Sequence, residues 1–180
     1  MIDLTDLLIF LLRRYKEKYG QIPSKTKLLK LAYISDLFYY RKLKKRLLNF
    51  NWIYYLYGPW TDKYDSIIDR YPFKKKEYHE SQLIDIDSDY KKQPKLDFDE
   101  KEAVIKALYE YGDKDLNEIL DFVYFDTEPM MNARNRGETL DFSTVKDESF
   151  YKIKEIKIDS EIKKKLKKEY FEKLKNARKI

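Results

Sequence analysis

The sequence predicts an α+β domain, mostly helical, with a small antiparallel sheet or hairpin. Three observations point there. Apolar residues recur at helical spacing in six separate segments, whereas a short aromatic stretch alternates as a strand does. The chain holds 4 Gly and 5 Pro in 180 residues, too few for a loop-dominated or disordered protein. Charged residues make up 39% and aromatics 16%, which suits a charged surface around a Tyr-rich core.

The first helix is predicted over residues 3–19. Asp3 or Thr5 serves as its cap, Leu4, Leu7, Leu8, Leu11, Leu12, Tyr15 and Tyr19 form its stripe, and Gly20 stops it. Ser24 caps a second helix over 25–47. Its apolar set (Leu28, Leu29, Leu31, Ala32, Ile34, Leu37, Phe38, Tyr40) covers much of the circumference, so this helix belongs at the centre of the core. Residues 51–57 read as a strand, with Trp52, Tyr54 and Leu56 on one face and Ile53, Tyr55 and Tyr57 on the other. Gly58-Pro59 breaks it, and Thr61 caps a short helix that Pro72 closes.

The polar stretch 73–96 suggests a hairpin in which "EYHESQLIDID" pairs with "YKKQPKLDF". Asp99 then caps a helix to Tyr111 that Gly112 ends, and Asp113 to Phe125 forms another. Residues 126–142 lack apolar periodicity and read as a loop. A strand over 150–158 and a helix over 161–178, capped by Ser160, complete the chain. The division expected is a domain over 1–150 and a basic strand-and-helix appendage over 151–180. The appendage carries 12 Lys/Arg against 5 Asp/Glu, whereas residues 1–150 carry 26 against 27, so the formal charge of +6 belongs to the tail.

With no cysteine, disulfides, thiolate metal sites and cysteine nucleophiles are excluded, and the reducing cytoplasm is the expected location. The run "LLIFLL" lacks the flanks of a secretory signal and is too short to span a bilayer, so no membrane role is expected.

Candidates for chemistry are few. His79 is the single histidine, too little for a metal cluster or a catalytic triad, and reads as a surface residue. "DIDSD" places Asp85, Asp87 and Asp89 at alternate positions as a calcium loop begins, but Tyr90 and Leu96 stand where such a loop needs Gly and Glu. A solvated strand face is the simpler reading. Asp36 interrupts "LAYISDLFYY". A carboxylate there must pair, and a bond to the strand, an Arg or a Tyr hydroxyl is favoured over an acid in a pocket. No phosphate loop or nucleophile elbow occurs, no cofactor is expected, and the chain is read as a non-enzyme.

Two basic runs suit nucleic acid: Arg41, Lys42, Lys44, Lys45 and Arg46, and the helix at 160–180. The outline of helix, strand, short helix and hairpin also resembles a winged-helix reader. Its recognition helix would be 62–71, where Asp62, Asp65 and Asp69 oppose Lys63 and Arg70, a poor charge for a groove. The alternative for both runs is a solvated face. The aromatic stretch is read as core and corner in preference to a ligand cage.

Three quoted stretches, taken in order, carry a family resemblance: "SKTKLLKLAYISDLFYYRKLKKRL", "WIYYLYGPWTDKYDSIIDRY" and "DTEPMMNARNRGETLDF". They resemble the Panacea domain family, also called SocA-like antitoxin domains. The matching residues are Lys27, Leu28, Lys30, Leu31 and Tyr33; Trp52, Tyr57, Gly58 and Pro59; Tyr64, Asp65 and Ile68; and, in the last stretch, Glu128 and Pro129. The resemblance implies a non-enzymatic, largely helical fold that neutralises a cognate toxin of a two-gene module, and it leaves the toxin's identity open. Its shared motifs are structural or partner-binding. Trp60 departs from the family pattern, which has a small aliphatic residue after Gly-Pro, and so does the basic helix at 160–180.

Overall fold

Twelve consecutive residues of one helix, Leu28 to Tyr39, are buried, and the rest of the domain is built around them. The computed structural model describes residues 1–79 and 81–147. The described elements are α1 (Leu4–Tyr19), α2 (Lys25–Leu43), α3 (Asp62–Ile68), β1 (Phe73–Tyr78), β2 (Ser81–Ile86), α4 (Phe98–Tyr111), α5 (Leu116–Phe125), α6 (Glu128–Asn132) and a 3₁₀ turn at Phe142–Thr144. The fold is thus α+β and mostly helical, with one antiparallel hairpin. Helix α2 packs against α1, α4, α5 and β2. Enclosure on every side explains its all-round apolar sequence. It also means that its polar residues Lys30, Ser35 and Asp36 are buried and must find partners inside.

Local signals fix the helix starts. The Asp3 carboxylate accepts from the Thr5 N–H at 2.7 Å, and Ser24 Oγ accepts from the Lys27 N–H at 3.2 Å. Gly20 ends α1 in the left-handed region (φ 65°) with its N–H on the Lys16 carbonyl. Thr61 caps α3 as expected. Two helices start elsewhere than expected. Asp97, not Asp99, caps α4, and α5 begins at Leu116 behind Asp115. Each cap belongs to a reciprocal box, with Glu100 and Glu118 respectively, which satisfies two backbone donors where a lone cap satisfies one.

Helix α2 ends at Leu43, four residues short of the expected 47. Lys44 turns the chain in the left-handed region (φ 55°), and Arg46 folds back along the helix to Asp36. Residues 51–57 are not a regular strand. Ile53 exchanges two backbone hydrogen bonds with Trp60, and on its other side the segment bonds to residues 137–140. Each pairing is one bridge long, because the turn that bonds Gly58 N–H to the Tyr55 carbonyl follows at once.

The hairpin pairs β1 with β2, from Phe73↔Ile86 to Tyr78↔Ser81, not 77–87 with 90–98. Strand β1 has no apolar alternation because all but its first residue are exposed, and its lysines are held by acids across the hairpin or nearby. Lys74 lies 2.8 Å from Asp87, Lys76 lies 3.0 Å from Asp85, and Lys75 lies 2.6 Å from Asp69. Within the expected loop at 126–142 stands the short helix α6, opened by Pro129 near its start. The strand expected at 150–158, the helix at 161–178 and the domain division at 150 lie outside the described residues. No described helix is long and apolar enough to cross a membrane.

Candidate functional site

Two buried polar groups of α2, Asp36 and Lys30, mark two sites, one closed and one open to solvent. The closed one centres on Asp36, with 0% of its surface exposed. Its carboxylate accepts from Arg46 Nη2 at 2.6 Å and Arg46 Nε at 3.1 Å, the Leu47 N–H at 2.7 Å and Trp52 Nε1 at 2.8 Å. Arg46 in turn lies 3.9 Å from the Phe142 ring centre. Of the three partner types expected for Asp36, the arginine appears and so does the 51–57 segment, through the side chain of Trp52, whereas the Tyr hydroxyl does not. A backbone amide and the Trp52 indole supply the other donors. Both lone pairs of each oxygen are directed at protein, so this carboxylate is a clamp with no access for a ligand.

Tyr33 stands beside it, edge-on to Trp52 at 5.5 Å. Thr127 Oγ1 donates its single proton to the Val123 carbonyl at 2.6 Å, so the Tyr33 hydroxyl is the donor in its 3.1 Å contact with Thr127. Glu128, 3.6 Å from Arg41, and Pro129 are buried alongside. The motif residues Tyr33, Trp52, Glu128 and Pro129 are therefore interior joints. Leu28 and Leu31 are core, and Lys27 Nζ donates to the Lys114 carbonyl at 2.7 Å, which ties α2 to the α4–α5 turn.

The open site is a cleft of about 310 Å³ between the first turns of α2, the corner at residues 55–60, and α3. Lys30, Tyr57, Gly58, Tyr64 and Asp65 line it, brought together from three segments of sequence. Helix α3 is tied to α2 twice: the Tyr64 hydroxyl donates to the Lys25 carbonyl at 2.7 Å, and Lys25 Nζ meets Asp65 at 2.7 Å. The corner is tied to α5, where the Tyr124 hydroxyl accepts from Gly58 N–H at 2.6 Å and reaches the Leu56 carbonyl at 2.7 Å. Tyr55 and Trp60 stack at 5.5 Å on the rim. The Arg136 guanidinium covers Tyr55 at 4.2 Å and donates to its hydroxyl. Tyr57 projects outward with 58% of its surface exposed.

Lys30 forms part of the cleft's lining yet is only 2% exposed. Its Nζ donates to the Pro59 carbonyl at 2.7 Å, and burial alone pushes its pKa down to about 7. Burial also holds the Tyr64 hydroxyl well above its usual value. Gly58 sits at φ 84°, and a Cβ there would lie 3.2 Å from Lys30 Cε and 3.4 Å from Nζ. Both the backbone conformation and the lysine thus require glycine. Gly58→Ala is expected to cost about 1–3 kcal/mol for the left-handed conformation alone, read as a lowered urea midpoint.

The remaining candidates resolve differently. Among Arg41, Lys42, Lys44, Lys45 and Arg46, four hold partners within the fold. Arg41 is buried on the Asp126 carbonyl, Lys42 Nζ contacts Asp99 at 2.7 Å and Glu102 at 2.8 Å, Lys44 Nζ donates to the Val145 carbonyl, and Arg46 grips Asp36; Lys45 is exposed. Asp85 is not on a solvated face. It is 8% exposed; burial pushes its pKa up, but the Ile86 N–H at 2.9 Å, Lys76 at 3.0 Å and Lys16 at 3.2 Å together outweigh that and hold it below the usual value. Among the described residues, no group of three or more His, Asp and Glu is placed to hold a metal. His79 is exposed beside Tyr78.

A larger depression of about 370 Å³ lies between α1 and α4 around Lys18 and Tyr109. It contains none of the motif residues, so the smaller cleft is the better site. Five of the ten residues that line the cleft are motif residues, but nothing in the sequence signalled that they meet in one cleft or that Trp60 and Arg136 form its rim. The signal for Lys30 was present: a lysine flanked by Leu29 and Leu31 in a helix apolar on every side.

A model of the antitoxin SocA-like, Panacea domain family matches residues 28–128. No curated protein and no solved structure matches the chain.

Proposed function

Because the chain belongs to the SocA-like, Panacea domain family of antitoxins, we propose that it neutralises a cognate toxin in the cytoplasm by binding it directly, through the cleft and its aromatic rim. The supporting observation is convergence. Lys30, Tyr57, Gly58, Tyr64 and Asp65 are distant in sequence yet line one solvent-open cleft, whereas the other motif residues, apart from the half-buried Lys27, lie in the interior. Tyr, Trp and Arg are the side chains that dominate binding energy at protein interfaces, and Tyr57, Tyr55, Trp60 and Arg136 crowd this rim. The mechanism is occlusion: the domain covers a toxin surface in an interface of about 1,600 Å² in total. Trp60 departs from the family pattern at the rim, which suits a contact specific to this chain's own partner.

The test is co-expression with the neighbouring open reading frame, scoring growth and co-purification. The neighbour is expected to be toxic alone, tolerated with this protein and bound to it. The Tyr57→Ala/Trp60→Ala variant is expected to lose at least about 30-fold in affinity, the size of a hot-spot loss, with its melting temperature little changed. A harmless or unbound neighbour would refute the reading. Nucleic-acid binding has less support, because most of the 41–46 run is engaged within the fold. It would require retention on DNA or RNA that falls steeply with salt.

A further inference from the structure

A lysine is an odd choice for the position Lys30 fills. It is almost wholly enclosed, and a leucine or methionine would suit the apolar helix. When charged, its Nζ carries three N–H donors. Among the described residues it has one acceptor, the Pro59 carbonyl, and no acid pairs with it. The nearest cleft acid, Asp65, is engaged with Lys25 at 2.7 Å. On α3, Tyr64 directs its hydroxyl to the Lys25 carbonyl; on α5, the Tyr124 hydroxyl is spent on the corner's backbone; Arg136 is spent on Tyr55 at the rim. A buried ammonium without a counter-charge is strongly disfavoured, and an anion brought beside it removes that penalty. The same cleft is lined by aromatic surface.

From this geometry we infer that the cleft is a carboxylate-binding site, in which an acidic group of the bound toxin accepts a hydrogen bond from Lys30 Nζ while the chain that carries it packs on Tyr57 and Trp60. The inference rests on the toxin-binding reading for the source of the carboxylate, not for the site itself. Among the described residues Lys30 is the one buried cation of the cleft, Lys25 being paired with Asp65 and Arg136 lying outside on the Tyr55 ring, so a singly charged carboxylate suits it better than a phosphate dianion, which would bring more charge than Lys30 neutralises. Binding is coupled to protonation: a bound carboxylate holds Lys30 charged, so occupancy and proton uptake rise together.

The experiment uses the full chain labelled with ¹³C at lysine Cε, titrated with 3-phenylpropionate and, separately, with its neutral analogue 3-phenylpropionamide and with inorganic phosphate. The carboxylate is expected to shift the Lys30 resonance and the Trp60 indole N–H, and to raise the apparent pKa of Lys30 by at least one unit, a tenfold tighter hold on its proton. The amide leaves Lys30 in place, and Lys30→Gln abolishes the Trp60 response. A Lys30 resonance unmoved by the carboxylate, or moved equally by the amide, overturns the inference, and phosphate binding as tightly as the carboxylate overturns its class. Growth rescue by the wild type is scored apart from these titrations. Rescue without a carboxylate response sinks this inference alone, and a carboxylate response without rescue sinks the toxin reading alone.

Discussion

Asp36→Ala is expected to lose about 3–5 kcal/mol of stability, the cost of breaking a buried ion pair from one side. The substitution strands three donors at once. Arg46 loses two contacts, the Trp52 indole loses its 2.8 Å acceptor, and the Leu47 amide loses its 2.7 Å acceptor in the interior. An unsatisfied buried donor alone costs about 1–3 kcal/mol, so the three donors account for the full range without any loss of packing. Domains are stable by about 5–15 kcal/mol, so the variant will be largely unfolded in mild urea. Trp52 makes the transition visible by fluorescence, since its ring is fully buried against Tyr33 and Phe50. Arg46→Lys keeps a charge but not the two-pronged contact, and is expected to fall well short of the alanine loss. A loss below about 1 kcal/mol for Asp36→Ala, the scale of an ordinary hydrogen bond, would mean that the three donors find other acceptors and that the clamp is not what joins α2 to residues 46–52.

The same clamp separates what the sequence disclosed from what it withheld. Helix starts at Asp3, Ser24 and Thr61 and the stop at Gly20 are local chemistry, decided within four residues, and they were legible. The end of α2 was not. Lys44, Lys45 and Arg46 are good helix formers, and the helix stops because Arg46 gains more by returning to Asp36, ten residues back. The hairpin was misplaced for a related reason. Strand β1 shows no apolar alternation, since all but its first residue are exposed, and the acids that hold Lys74, Lys75 and Lys76 are Asp87, Asp69 and Asp85, outside its own run. Residues 51–57 misled in the opposite sense: aromatic alternation was present, but backbone partners on either side were one bridge long. In the cleft, Gly58-Pro59 announced a corner, while the approach of Arg136 from 81 residues away had no local signature.

Lys30→Met is expected to remove most of a rise in stability with pH that the wild type shows between about pH 7 and 9.5. Burial sets the folded pKa of Lys30 near 7, against 10.5 for an ordinary lysine. Below pH 7 both states carry the proton, and the folded state bears the whole cost of a buried ammonium. Above pH 7 the folded lysine is neutral while the unfolded one still binds its proton, so the unfolded state holds more protons and stability climbs with pH. At about 1.4 kcal/mol per unit, the gain by pH 9.5 is roughly 3 kcal/mol. Lys27, also depressed by burial, adds in the same direction. The window closes near pH 10, because Tyr33, Tyr64, Tyr111 and Tyr124 have their pKa values raised by burial. Those hydroxyls stay protonated in the fold while the unfolded chain ionises, which turns the slope downward. Melting curves at pH 6.5, 7.5, 8.5 and 9.5 check the sign. The wild type should gain with each step, whereas Lys30→Met should be flatter, more stable than the wild type at pH 6.5, and close to it at pH 9.5. A wild-type profile that is flat across this range would show that Lys30 keeps its charge in the fold.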